Sequence, residues 1–185
     1  MAERVCPWWM GYLLASPVRR WMQKPEELLS PYVREGMTVL EPGPGMGFFT
    51  LPLARMVGPA GRVVAIDIQA RMLQSLRQRA AKAGVLERIE LRLAQPGSLG
   101  IGDLKDSADF LLAFAVVHEL PSAAGFFREA SAAMKTEAML LLAEPAGHVK
   151  PETFQKELMA AHDAGLTVAA RPSIRRSLAA VLTKR

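Results

Sequence analysis

An acidic residue followed by three glycines at alternate positions is the stretch of this sequence that most directly indicates chemistry. Glu41 ends an apolar run, and Gly43, Gly45 and Gly47 follow it. Because glycine tolerates positive φ and lets a ligand approach the main chain, the pattern predicts a ligand-binding turn after a buried strand. A dinucleotide fingerprint would need glycine where this sequence has Phe48. A carboxylate there would also repel a phosphate and attract a cation such as an α-ammonium group.

A second acidic residue stands at the end of the next apolar run. Asp67 lies 20 residues beyond Gly47. A carboxylate has two acceptor oxygens and can therefore accept hydrogen bonds from both hydroxyls of a ribose. Two alternatives stay open at this point. Asp67 could instead cap a helix that begins near Gln69, and the glycines could form a surface turn that binds nothing.

Together, the acid-x-Gly-x-Gly-x-Gly run and Asp67 resemble the first two motifs of class I S-adenosylmethionine-dependent methyltransferases. The resemblance implies S-adenosyl-L-methionine as the cofactor, with the Glu41 carboxylate on the methionine ammonium and Asp67 on the ribose. It also implies that Ile68 and Met72 form an apolar wall against adenine. The full set of cofactor-binding residues expected from the resemblance is Glu41, Gly43, Pro44, Gly45, Asp67, Ile68, Met72, Gln95 and Ala113.

Two members of this set rest on the family pattern alone. Gln95 stands in a loop where the family often has an acid that meets the adenine amino group, and an amide can still accept from that amine. Ala113 is a small residue where the methionine end of the cofactor should pass. The sequence has no Asn/Asp-Pro-Pro-Tyr/Phe run after the predicted fourth strand, which counts against the base and amide N-methyltransferases.

His118 follows the fourth predicted strand, where the family often carries a histidine at the rim of the substrate cavity. An imidazole could act as a general base toward an oxygen or an acidic carbon, although a histidine satisfied by local backbone remains an alternative. Glu144 and His148 follow the fifth predicted strand and are expected near the same cavity mouth. Cys6, His118 and His148 lack the spacing of metal ligands, so no metal is expected.

The elements that must position these residues alternate between strands and helices, which predicts a parallel sheet with helices on both faces. The last two strands are separated by a short link and must form an antiparallel hairpin. The resemblance implies an α/β, Rossmann-like, doubly wound sheet of order 3-2-1-4-5-7-6. The predicted strands are Met37–Glu41, Gly61–Asp67, Ile89–Leu93, Phe110–Val117, Ala138–Ala143, Leu166–Ala170 and Ser177–Thr183. The predicted helices are a short one that follows Pro25 and ends at Glu35-Gly36, then Phe48–Val57, Gln69–Ala83, Ser122–Met134 and Pro151–Ala164.

Composition indicates one globular domain. The chain has 185 residues, of which 50% are hydrophobic and 22% are charged, and no apolar stretch approaches the roughly 20 residues of a membrane span. A single cysteine and the absence of a signal-peptide layout predict a cytoplasmic protein. We expect a single methyltransferase domain over residues 1–185, with an N-terminal helical cap or lid at 1–35 and a cofactor-binding α/β core at 36–185.

The net charge of +5 gives no clear sign of a nucleic-acid partner, because the basic residues are dispersed and do not alternate with aromatic ones. The sequence therefore predicts a methyltransferase that transfers a methyl group to a small molecule by direct displacement. Two alternatives remain: a non-catalytic S-adenosylmethionine-binding module with a protein partner, and a methyltransferase acting on a lipid-like quinone at a membrane surface. A homodimer is compatible with each of these three functions.

Overall fold

A seven-stranded sheet of order β3-β2-β1-β4-β5-β7-β6 organises residues 24–184, which are the residues that the computed structural model describes. This order and the helices between the strands confirm the predicted fold class. Within the described part of the chain, two compact units divide between Ala94 and Gln95. Residues 24–94 contain α1 (Pro25–Leu29), β1 (Thr38–Pro42), α2 (Thr50–Met56), β2 (Arg62–Asp67), α3 (Ala70–Lys82) and β3 (Ile89–Leu93).

The strands of this first unit are parallel, and β2 pairs with both β1 and β3. Val39 and Leu40 of β1 are fully buried, and so are Val63 and Val64 of β2. Burial on both faces is typical of central parallel strands, and it explains why these segments are apolar without alternation. The register aligns Leu40 with Val64 and Pro42 with Ile66, so β1 and β2 end side by side.

The second unit, residues 95–184, contains the two-stranded hairpin that the sequence predicts. Its β4 and β5 are parallel, whereas β7 runs antiparallel to both β5 and β6. Ser122 caps the helix that follows β4, because its Oγ accepts a hydrogen bond from the Gly125 N–H at 3.0 Å. The elements of this unit are β4 (Ala108–Phe114), α4 (Ala123–Ala133), β5 (Met134–Pro145), α5 (Pro151–Asp163), β6 (Leu166–Ala170) and β7 (Ser177–Lys184).

The predicted end of β4 at Val117 is wrong, since the strand ends at Phe114. Ala115 still donates its N–H to the Ala143 carbonyl at 2.7 Å, but its φ of +55° turns the chain out of the strand. Val117–Glu119 then form a 3₁₀ turn. The predicted start of β5 at Ala138 is wrong as well, because the strand begins at Met134.

The first two helices are also shorter than predicted. The helix after Pro25 ends at Leu29, and α2 begins at Thr50 and not at Phe48 because the chain before it is still turning. Residues 1–23, which hold most of the predicted cap, lie outside the described residues, so the cap or lid at 1–35 stays a prediction. Between residues 24 and 184, no helix is long and apolar enough to cross a membrane.

Candidate functional site

The glycine-rich turn after β1 has the backbone conformation that only glycine adopts readily. Gly43, Gly45 and Gly47 have φ values of +70°, +54° and +88°, in the left-handed region where other residues are strained. The Gly43 N–H donates to the Ile66 carbonyl at 2.8 Å, which ties the start of the turn to β2. The buried Pro44 accepts from the Gly47 N–H at 3.0 Å and closes the turn. The turn is therefore held by its own backbone bonds.

Two of these glycines differ in what surrounds them. A Cβ on Gly47 would lie 2.5 Å from Leu76 Cδ1, so this position must be bare for the turn to pack against α3. A Cβ on Gly45 would meet nothing within 4 Å. Residues 24–184 do not fill the space beside Gly45, which leaves room for a ligand against the main chain in the described structure.

Glu41 is a buried carboxyl with one oxygen that makes no hydrogen bond among the described residues. It is 3% exposed, and its Oε2 is buried without a hydrogen-bond partner among the described residues. Burial raises the pKa of Glu41 to about 7; the neighbouring Thr50 hydroxyl lowers it in part, and the charge of Asp67 raises it further. Thr50 Oγ1 is itself buried without a hydrogen-bond partner among residues 24–184, so the hydroxyl acts on Glu41 as a nearby dipole. A cation placed at Oε2 would supply the partner that the carboxyl lacks.

Asp67 ends β2 and is 9% exposed. Its Oδ1 accepts a hydrogen bond from the Gln69 N–H at 2.8 Å. The residue at the N-cap of α3 is Gln69, whose side chain makes no capping bond. Asp67 thus stabilises the turn just before the helix, whereas the N-cap position itself is Gln69.

Two apolar side chains are exposed at the ends of β2 and β3. Ile68 is 37% exposed and Leu93 is 61% exposed, whereas Met72 on α3 is 4% exposed and belongs to the core. Leu93 pairs with Asp67 in the register of the two strands. The sequence pattern does not mark Leu93, because its exposure follows from where β3 ends.

Gln95 and Ala113 belong to the second unit. Gln95 is exposed and forms a small bridge with Ser98, and the Ser98 N–H donates to the Gln95 carbonyl at 3.1 Å. Ala113 is fully buried and pairs with Leu142. Their roles toward a cofactor stay predictions.

His118 and Glu144 form a hydrogen-bonded pair in the second unit. The fully buried Glu144 contacts His118 Nδ1 through Oε2 and accepts the Val117 N–H at 2.8 Å through Oε1. The His118 side chain is 19% exposed. The hydrogen bond to Glu144 raises the pKa of His118, burial lowers it in part, and the charges of Glu144, Glu119 and Glu157 raise it further. His118 is therefore held by a carboxylate and not by local backbone.

Glu157 is a buried acid that the sequence analysis did not single out. It lies on the buried face of α5 with Phe154, Leu158 and Ala161, and its Oε2 has no hydrogen-bond partner among the described residues. Burial raises its pKa to about 7; the charge of Glu144 raises it further, and His118 lowers it. A glutamate at helical spacing within an apolar stripe is the signal that could have found it.

The side chains around His118 do not form a metal site of the usual kind. The His118 and His148 rings are 6.4 Å apart between centroids. Within residues 24–184, no group of three or more His, Cys, Asp or Glu side chains could hold a metal ion.

Comparison with known proteins gives a consistent result. The family model described as "Methyltransferase domain" matches residues 33–175. A solved SAM-dependent methyltransferase from Aquifex aeolicus is 26% identical, with a TM-score of 0.84 over 97% of this chain and 98% of that one.

Two curated relatives match shorter segments. An arsenite methyltransferase from Halobacterium salinarum is 35% identical over 46% of this chain, and the ubiquinone/menaquinone C-methyltransferase UbiE from Enterobacter sp. (strain 638) is 39% identical over 38%. The matched segments cover only 21% and 28% of those two proteins.

The burial of Glu41 predicts a specific dependence of stability on pH. Glu41 holds its proton more tightly in the folded chain than in the unfolded one, so the free energy of unfolding should fall as pH rises from about 4.5 to about 7. The contribution of this group is about 3 kcal/mol. In Glu41→Gln that contribution is absent, so the variant should gain stability relative to the parent chain as pH rises. Urea unfolding at pH 5, 6, 7 and 8 measures the difference.

The exposed Glu152 on α5 provides the matched control, because Glu152→Gln removes an acid without removing a buried one. The raised pKa of Glu41 would be contradicted if the stability difference between Glu41→Gln and the parent chain stayed constant from pH 5 to pH 8.

Proposed function

We propose that this chain, which belongs to the methyltransferase domain family, transfers a methyl group from S-adenosyl-L-methionine to a small-molecule acceptor by direct displacement. The resemblance to class I S-adenosylmethionine-dependent methyltransferases is confirmed at the level of the family, and with it the cofactor that the family uses. The observation that carries the proposal is the buried Glu41 carboxyl, whose Oε2 has no hydrogen-bond partner among residues 24–184, on the strand that leads into the turn of Gly45.

The residues present fit the cofactor. Glu41 would hold the α-ammonium group, which supplies the positive charge that the buried carboxyl lacks. Gly45 would allow the methionine end to lie against the main chain. Asp67 would accept hydrogen bonds from the ribose, and the exposed Ile68 and Leu93 would provide an apolar wall for the adenine.

When bound, the cofactor supplies an electrophilic methyl group on a charged sulfur that leaves readily. The chain then has to hold the acceptor in line and exclude water, and these effects can supply most of the acceleration. We assign His118 as the general base that takes a proton from the acceptor, since its ring is partly exposed and its pKa is raised by Glu144.

A lipid-like quinone is the second candidate acceptor, and the similarity to UbiE favours it. Arsenite is a weaker candidate despite the similarity to an arsenite methyltransferase, because soft centres such as arsenic prefer thiolate ligands and the sequence has the single cysteine Cys6. A non-catalytic module with a protein partner remains the rival in which the cofactor binds without turnover. We also propose that the protein has no nucleic-acid partner, that it can form a homodimer and that it is cytoplasmic.

The cofactor and the reaction can be tested together. We expect S-adenosylhomocysteine to bind in calorimetry and NAD not to bind, because Glu41 repels a pyrophosphate and attracts an ammonium. Incubation with methyl-labelled S-adenosylmethionine and a metabolite extract should then label a small molecule. Preferential binding of NAD would end the proposal, and binding without any labelled product would favour the non-catalytic module. Label in the lipid fraction would favour the quinone.

Gly45→Ala tests whether a ligand occupies the open face of the turn. Its φ of +54° is close to the +67° of Gly84, and a Cβ at either position would meet nothing within 4 Å. Alanine at each site should therefore cost about 1 to 2 kcal/mol in backbone strain. Only Gly45→Ala should also weaken S-adenosylhomocysteine binding, by about tenfold or more. Equal affinities for the Gly45→Ala and Gly84→Ala variants would show that no ligand approaches Gly45.

Asp67→Asn separates ribose binding from support of the local turn. Asparagine keeps an oxygen that can accept the Gln69 N–H, but it loses the charge and the second acceptor oxygen. We expect S-adenosylhomocysteine binding to weaken by about 1.5 to 3 kcal/mol for the lost charge-assisted bond, with little change in thermal stability. Unchanged affinity in the folded variant would mean that Asp67 serves the turn alone.

A further inference from the structure

One buried carboxylate holds both the backbone and the ring of the turn that carries His118. Glu144 uses Oε1 for the Val117 N–H and Oε2 for His118 Nδ1, and it is 0% exposed. Val117 and His118 are consecutive residues of the same 3₁₀ turn. The two contacts thus fix the position of the turn and the rotation of the ring at once.

The contact also determines which ring nitrogen can accept a proton. The hydrogen bond made by one imidazole nitrogen sets which nitrogen is protonated in the neutral ring. With the Glu144 carboxylate on Nδ1, the proton stays on Nδ1 and the lone pair lies on Nε2. A proton taken from another molecule must then arrive at Nε2.

The other charged and titratable groups near His118 come from several elements. Glu119 belongs to the same turn, Glu157 lies on α5, and His148 follows β5. The negative charges of Glu144, Glu119 and Glu157 all raise the pKa of His118. Glu144 also makes a hydrogen bond to the ring at Nδ1, so its effect on the geometry of the ring is separable from the effect of its charge.

We propose that Glu144 is the positioning residue of His118, and that the methyl acceptor carries its proton on the oxygen or acidic carbon that is methylated. The inference rests on the proposed function. In the step, the acceptor atom forms a bond to the methyl carbon, the carbon–sulfur bond breaks with its electron pair going to sulfur, and the acceptor's proton passes to His118 Nε2. The imidazolium then returns its proton to solvent, since the His118 side chain is 19% exposed. A thioether or a tertiary amine has no proton to lose and would make no use of this pair.

The test reads the ring of His118 directly and needs no acceptor. The sequence has three histidines, His118, His148 and His162, so their ring nitrogens can be assigned in long-range ¹⁵N–¹H NMR spectra by single His→Gln substitutions. In the parent chain we expect neutral His118 to carry its proton on Nδ1. In Glu144→Gln we expect the pKa of His118 to fall and the preference for Nδ1–H to be lost.

Glu157→Gln is the matched control, because it removes a nearby buried acid that acts on His118 through its charge and whose Oε2 has no hydrogen-bond partner among the described residues. It should lower the pKa of His118 and leave its tautomer unchanged. A purely structural Glu144 would leave both properties of His118 unchanged in Glu144→Gln, which would overturn the proposal. If Glu144→Gln does not fold, the parent spectrum decides: neutral His118 with its proton on Nε2 is also a contradiction.

The acceptor class has its own readout. The labelled product of the extract experiment should carry the methyl group on an oxygen or a carbon. A methyl group on a thioether sulfur or a tertiary nitrogen would overturn this inference while leaving methyl transfer itself established. Absence of S-adenosylhomocysteine binding would instead end the proposed function, whatever the spectra of His118 show.

Discussion

Burying a carboxyl group costs free energy unless its surroundings provide a partner, and this constraint governs both compact units. Glu41, Asp67 and Glu144 stand at or next to the last residue of three buried strands. Each oxygen of Glu144 has a hydrogen-bond donor, and Asp67 accepts a hydrogen bond from the Gln69 N–H in its own turn. Glu41 Oε2 has none among the described residues. The contrast separates a carboxyl with both oxygens bonded from one that keeps an oxygen unbonded among residues 24–184.

A proline follows each of the two glutamates and helps to explain why the backbone at each glutamate stays extended. Pro42 follows Glu41, and Pro145 follows Glu144. The residue before a proline is restricted to extended backbone, so each glutamate stays in strand conformation to the end of its strand. Each strand thereby carries its carboxyl to the end of the sheet, where the parallel pairing stops.

Local pattern was sufficient for the features that depend on local chemistry. The glycine spacing, Glu41 and Asp67 could all be recognised in the sequence, and the family resemblance supplied the strand order. The end of β4 could not be predicted from local pattern, because the Val117 N–H donates a hydrogen bond to the Glu144 carboxylate, which lies 27 residues away in the chain. Leu93 was missed for a similar reason. Whether a side chain is buried or exposed there depends on where neighbouring elements end, which periodicity does not report.

Holding an ammonium at Glu41 has a kinetic consequence for the proposed reaction. The α-ammonium group is the same before and after the methyl group has left, so an ammonium held by Glu41, as proposed, would be bound equally in the cofactor and in its demethylated product. Binding energy that is equal in all states increases affinity without lowering the barrier of the chemical step. In the proposed reaction, a stronger hold on the cofactor at this carboxyl would therefore be accompanied by an equally stronger hold on the demethylated product.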